Sequence, residues 1–137
     1  MKEFGCPSNA IITPHPGEAA MLLDCSVEEL QKNRLEAAKE LYKRYNCLII
    51  LKGYQTIVFD GEAYQCTDGG PALSTAGTGD VLAGLIGSFL AQGLSKIDAA
   101  RFSVAIHGAA GDKFSKNKGR RGLTATKLIK IINEEML

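Results

Sequence analysis

An α/β fold is predicted by three features of the sequence: short continuous apolar runs, amphipathic helical segments between them, and a glycine-rich loop where a strand feeds a helix. The runs Ala10-Ile-Ile-Thr13 and Cys47-Leu-Ile-Ile-Leu51 carry the strand signal, and Gly69 to Asp80 is the loop. A chain of 137 residues, 45% hydrophobic and 23% charged, fits one domain of ordinary soluble composition, taken here as residues 1–137. The net charge of +1 creates no overall field for nucleic acid or an anionic membrane. No charged-then-apolar leader opens the sequence and no run approaches bilayer length, so a cytoplasmic location is expected. Cys6, Cys25, Cys47 and Cys66 are widely spaced, and with only His15 and His107 beside them they read as reduced thiols rather than a zinc site.

The elements follow in order. Ala10–Thr13 is a buried strand ended by two prolines, and Glu18 to Leu23 forms a short helix. Ser26-Val-Glu-Glu29 is a capping-box signature. Leu30, Leu35, Ala38, Leu41, Tyr42 and Tyr45 then give the spacing of one longer amphipathic helix ending near Asn46. Cys47–Leu51 is a strand covered on both faces, stopped by Lys52-Gly53. Thr56–Phe59 and Glu62–Cys66 form a hairpin around a two-residue turn, Asp60-Gly61. Three helices close the chain. Val81 to Gln92 is apolar nearly all round and is expected to be the most buried. Ser95-Lys-Ile-Asp98 opens the next, which is rich in small residues. Thr124 caps the last, with Leu128, Ile129, Ile131 and Ile132 on its inner face.

Three segments carry chemistry. In Gly69-Gly-Pro-Ala-Leu-Ser-Thr-Ala-Gly-Thr-Gly-Asp80, glycines at 77 and 79 let backbone N–H groups converge on an anion, helped by the dipole of the following helix. Phosphate repels a carboxylate, so Asp80 reads as a general base or a magnesium-linked group; the alternative is a helix cap. Thr13-Pro-His-Pro-Gly-Glu18 leaves a strand through a backbone stiffened by prolines, either a binding loop presenting His15 and Glu18 or a rigid turn. Lys52-Gly-Tyr-Gln-Thr56 places an ammonium and a hydroxyl just past a buried strand, suited to a nucleotide or simply solvated.

In this order and at these separations, the TPHPGE, LKG-x-x-T and A-x-T-G-D segments resemble the carboxy-terminal half of an NAD(P)H-hydrate dehydratase, a member of the ribokinase-like superfamily. The resemblance runs from about Asn9 to Leu137 and includes His107-Gly-x-Ala-Gly-Asp112 and Gly122-Leu-Thr-Ala125. It implies a three-layer α/β/α fold, of which this chain supplies the carboxy-terminal half. The implied reaction is nicotinamide nucleotide repair by a lyase. Hydrated NADH or NADPH is dehydrated at the expense of ADP or ATP, by phosphorylation of the ring hydroxyl and loss of phosphate.

By the same resemblance, amides of Ala76, Gly77, Thr78 and Gly79 stabilise the transferring phosphoryl group and Asp80 takes the proton of the attacking hydroxyl. Lys52, Gly53 and Thr56 belong to the nucleotide side, Gly70 through Thr75 to Gly79 wraps the phosphates, and His15 and Glu18 face the hydrated cofactor. Mg²⁺ is expected to neutralise the nucleotide, although no ligand cluster fixes its position. The PHPGE spelling is closer to the bacterial branch, which uses ADP, than to the animal branch, which uses ATP. Gly70 and Ala76 depart from the family's usual asparagine and glycine, and Lys127 replaces a usual aspartate.

Family members are roughly twice this length. The uncovered surface of a half-domain implies self-association or a partner chain. A ribokinase-like small-molecule kinase and a non-catalytic nucleotide-binding module are the alternative functions. The basic stretch Lys113 to Arg121 reads as a solvated loop, without the aromatic platform a nucleic-acid site needs.

Overall fold

Ile11–Ile12 (β1), Leu48–Leu51 (β2), Ile57–Phe59 (β3) and Ala63–Gln65 (β4) form one sheet in the order β1-β2-β3-β4 in the computed structural model, which describes residues 5–137. β1 runs parallel to β2, with Ile11 opposite Leu48, whereas β2, β3 and β4 are successively antiparallel. The sheet is therefore mixed, as an α/β fold with an appended hairpin requires. It belongs to the first of two compact units, Met1–Gln65; the second is Cys66–Leu137.

In the first unit, Pro16–Leu23 (α1) starts two residues before the expected Glu18, because Pro16 supplies a preset φ and His15 caps the helix. The single long helix expected after Ser26 is two: Val27–Lys32 (α2) and Arg34–Tyr45 (α3). Asn33 breaks it at φ −146° and ψ 71°, serving as C-cap of one helix and side-chain N-cap of the other. Leu35, expected on the inner stripe, is exposed as a result, and Ala37 joins Ala38 and Leu41 inside. Asn46 ends α3 in the left-handed conformation. The core packs Ala19, Ala20, Leu30, Ala38 and Leu41 against Ile49, Leu51, Ile57 and Phe59. These alternate along β2 and β3, one face of a period-two strand, while Leu48, Ile50 and Val58 between them are also fully buried. Phe59 meets the Tyr42 ring edge-on at 5.3 Å. The hairpin pairs Phe59 with Ala63, so three residues turn the chain rather than two. The four cysteines are free thiols, with Cys6 Sγ 3.3 Å from Cys47 Sγ.

The second unit comprises a 3-10 turn at Pro71–Leu73, Thr78–Ala91 (α4), Lys96–Lys118 (α5) and Ala125–Ile131 (α6), which runs into a π-helical turn at Ile132–Met136. Its core is Ala72, Ala110, Phe114, Leu123, Leu128 and Ile132. The most buried helix is α5, not α4: nine α5 residues are buried against three of α4. Apolar composition did not decide the matter, because Ala83, Gly84, Gly87 and Ser88 form an exposed small-residue side of α4. Ile129, expected inside α6, is exposed. The basic stretch is helical through Lys118, not a loop, with Lys116 and Lys118 in the last turn where the dipole favours cations. Lys113 pairs with Glu135. Among the described residues, no helix is long and apolar enough to cross a membrane.

Leu41 is fully buried at the centre of the first unit. Leu41→Ala should cost about 3 kcal/mol, read as a lowered urea midpoint with an unchanged slope.

Candidate functional site

Because β1 and β2 are parallel, the segments that follow them leave the sheet at the same end, where open α/β sheets carry their sites. The Lys52 amide donates to the Pro14 carbonyl at 2.9 Å, extending the ladder past both strands and drawing PHPGE beside LKG. His15 and Glu18 form a reciprocal capping box. The Glu18 amide donates to His15 Nδ1 at 3.2 Å, and the His15 amide to Glu18 Oε2 at 2.8 Å. Both side chains stay more than half exposed, at 56% and 53%. The loop is thus a rigid turn that also presents an imidazole and a carboxylate to solvent.

Lys52 and Thr56 are half-buried, Gly53 is exposed, and the Thr56 hydroxyl donates to the Gly53 carbonyl at 3.2 Å. Arg34, the first residue of α3, fixes this turn. Its Nη2 donates to the carbonyls of Leu51 and Lys52, each at 3.2 Å, and Nη1 to Gln31 Oε1 at 3.0 Å. Burial lowers its pKa from the ordinary guanidinium value. Sequence reasoning missed Arg34, whose only local signal is its place after the Asn33 break.

The glycine-rich loop lies in the second unit. After the 3-10 turn, the Thr78 hydroxyl donates to the carbonyls of Leu73 and Thr75, at 2.5 and 2.8 Å. Gly77, at φ 87°, is the N-cap of α4 and supplies no side-chain cap. Ala76 does not have a positive φ, so alanine is unstrained at the position where the family resemblance leads one to expect glycine. Of the four amides expected to hold an anion, Thr78 N–H is bonded to Thr75 O at 3.3 Å. Those of Ala76, Gly77 and Gly79 have no hydrogen-bond partner among the described residues. Gly70 and Gly79 are half-buried and Thr75 is exposed. Asp80 sits in the first turn of α4, exposed, and its carboxylate has no partner among the described residues, which removes the helix-cap alternative.

The loop rests on α5. His107, 9% exposed, places Nε2 at 2.8 Å from the Thr78 carbonyl. A Cβ at Gly108 would stand 2.8 Å from the Asp68 carbonyl oxygen, and one at Gly111 2.6 Å from Leu73 Cγ. Nearby, burial pushes the Cys66 thiol pKa up, with the carboxylates of Asp68 and Asp112 adding to the shift. Lys127 Nζ donates to the Gly122 carbonyl at 2.8 Å.

A family model described as NAD(P)H-hydrate dehydratase matches residues 3–134. The chain is 45% identical over 125 residues to the bifunctional NAD(P)H-hydrate repair enzyme of Vibrio cholerae, covering 90% of this chain and 25% of that protein. It is 43% identical over 117 residues to the ADP-dependent (S)-NAD(P)H-hydrate dehydratase of Neisseria meningitidis, covering 84% and 39%. The ADP/ATP-dependent NAD(P)H-hydrate dehydratase from Bacillus subtilis, co-crystallised with ATP and Mg²⁺, superposes with a TM-score of 0.86 at 35% identity, over 91% of this chain and 46% of that one. A ribokinase-like superfamily protein from Enterococcus faecalis superposes at 0.84 with 30% identity, over 98% and 47%. The shared fold is ribokinase-like α/β. The chain spans about a quarter of the Vibrio protein and under half of these solved chains.

Arg34→Ala leaves two strand-end carbonyls unpaired and should cost about 2 kcal/mol in denaturant unfolding. Arg34→Lys should recover less than half of that, because an ammonium lacks the planar fork.

Proposed function

We infer that this chain, which belongs to the NAD(P)H-hydrate dehydratase family, supplies the nucleotide-phosphate site and the base for ADP- or ATP-dependent dehydration of hydrated NADH or NADPH. One observation carries this reading: amides at Ala76, Gly77 and Gly79 without a partner among the described residues stand beside the exposed carboxylate of Asp80, likewise without one. Asp80 takes the proton of the ring hydroxyl. The hydroxyl oxygen then bonds to the terminal phosphorus of the nucleotide as that phosphorus loses its bond to the bridging oxygen, which leaves with AMP or ADP, while the amides hold the charge on the equatorial oxygens. The carbon–oxygen bond of the phosphorylated ring then breaks, a proton leaves the neighbouring carbon, and inorganic phosphate and the restored dihydronicotinamide are the products. With ADP the nucleotide product is AMP, and with ATP it is ADP.

Lys52, Gly53 and Thr56 are assigned to the nucleotide, Gly70 and Thr75 to its phosphates, and His15 and Glu18 to the hydrated cofactor. Among the described residues, no group of three or more His, Cys, Asp or Glu side chains could hold a metal. The residues present fit Mg²⁺ carried by the nucleotide's own phosphates rather than by a cluster of protein ligands, which leaves Asp80 to act as the base. The ion's part is charge neutralisation. The place of action is the cytoplasm. Since the chain spans under half of the solved dehydratase chains, the exposed small-residue side of α4 is assigned to contact with further polypeptide, by self-association or from a partner chain.

The full chain, incubated with hydrated NADH, ADP or ATP, and Mg²⁺, should restore the reduced-nicotinamide absorbance. Asp80→Asn should lower that rate by about 10²–10⁴-fold while ADP binding persists. Unchanged turnover in Asp80→Asn would sink the base assignment. Phosphorus NMR should show free phosphate; a stable phosphomonoester would replace this reading with a small-molecule kinase. ADP binding without turnover in any oligomeric state would leave a binding module. Analytical ultracentrifugation should show a species larger than one chain, and a well-folded strict monomer counts against the association.

A further inference from the structure

We propose that His107 is the positioning residue of the anion loop: by holding the Thr78 carbonyl, it aims the Gly79 N–H at the phosphate. This deepens the nucleotide-site reading above and rests on it. The reasoning begins with one peptide unit. The carbonyl of Thr78 and the N–H of Gly79 belong to the same planar peptide, and since no cis bond occurs among the described residues they point in opposite directions. His107 Nε2 lies 2.8 Å from that carbonyl oxygen. A carbonyl only accepts, so Nε2 carries the proton and donates it. Whatever fixes the carbonyl toward α5 therefore fixes the Gly79 N–H away from it, toward the open side of the loop, where it has no partner among the described residues.

The rest of the α5 face serves the same end. His107, Gly108, Gly111 and Asp112 are spaced i, i+1, i+4 and i+5, which places them along one side of a helix. Gly108 and Gly111 lack the Cβ atoms that would displace Asp68 and Leu73, so the two ends of the loop's first half lie directly on the helix. Leu73 in turn accepts the Thr78 hydroxyl, which closes the circuit back to the peptide that His107 holds. Thr78 is the first residue of α4, so the helix's first turn already sets the sense of its peptide; the His107 bond adds a tether to α5, and its loss loosens that turn and the Gly79 donor without unfolding the helix.

The test uses the full chain with His107→Leu, which keeps the bulk and loses the donor, and His107→Gln, whose amide nitrogen reaches a position close to that of Nε2. Two quantities are read: amide hydrogen exchange at Asp80 and Val81, both bonded to the Gly77 carbonyl, and the ADP dissociation constant by calorimetry. In His107→Leu, exchange at Asp80 and Val81 should rise about tenfold and ADP should bind about tenfold more weakly, with exchange in Leu48–Leu51 unchanged. In His107→Gln, both should return to within about twofold of the parent. Parental exchange at Asp80 and Val81 in His107→Leu overturns the proposal. So do equal defects in both variants, faster exchange spread to Leu48–Leu51, and altered exchange with unaltered ADP affinity. If the parent chain binds no ADP, the nucleotide reading fails, and the exchange rates alone still decide whether His107 holds the loop.

Discussion

Keeping backbone amides unbonded at a helix start is the constraint on which the second unit depends. Where such amides reach the surface, as at Ala76, water meets them, and the shape of the loop is held instead by its other polar groups. Thr78 carries several of these. Its hydroxyl is spent on Leu73 and Thr75, its amide on Thr75, and its carbonyl on His107, while the side chain itself is 4% exposed. The amides of Ala76, Gly77 and Gly79 are the remainder. The small residues of α5 pack with the loop, because glycine at 108 and 111 leaves room for Asp68 and Leu73, while Ala72 and Leu73 join the apolar core.

The first unit solves the complementary problem at a strand end. Where β2 stops, its last carbonyls lose their ladder partners, and Arg34 supplies two donors in one planar group. That places a half-buried cation at the turn carrying Lys52 and Gly53, one whose charge is stabilised by carbonyl dipoles rather than by a carboxylate. The His15 and Glu18 box is a local arrangement of the same kind: it meets the orphan donors of α1 and leaves both side chains facing water. In each unit a polar side chain anchors backbone at the end of a regular element.

Local signals in the sequence were read correctly where the physics is local. Ser26, Ser95 and Thr124 cap helices as their spacing requires, and Asn46 ends α3 in the left-handed conformation that asparagine tolerates. The continuous apolar run before Lys52 is buried at all four strand positions. Other elements differ from their local pattern for both local and long-range reasons. Asn33 breaks a helix that apolar spacing alone would continue, because its side chain replaces the backbone bonds at the junction. The helix from Thr78 to Ala91 is apolar yet half uncovered, since composition records what a face prefers and not whether anything covers it. The hairpin turn gained a residue through its register, a property of two strands that neither carries alone.

By itself, then, the sequence determined the α/β class, the positions of the caps and the family, because capping and strand signals lie in residues close together and the family in short segments kept in order along the chain. Only the tertiary structure decided that Arg34 reaches the end of β2, that His107 reaches the Thr78 carbonyl, and which three of the four loop amides lack a partner among the described residues. Arg34 is 17 residues from Leu51 and His107 is 29 from Thr78, separations at which a hydrogen bond leaves no periodic or compositional trace. Such contacts exist only once the chain has folded and brought donor and acceptor within about 3 Å of each other.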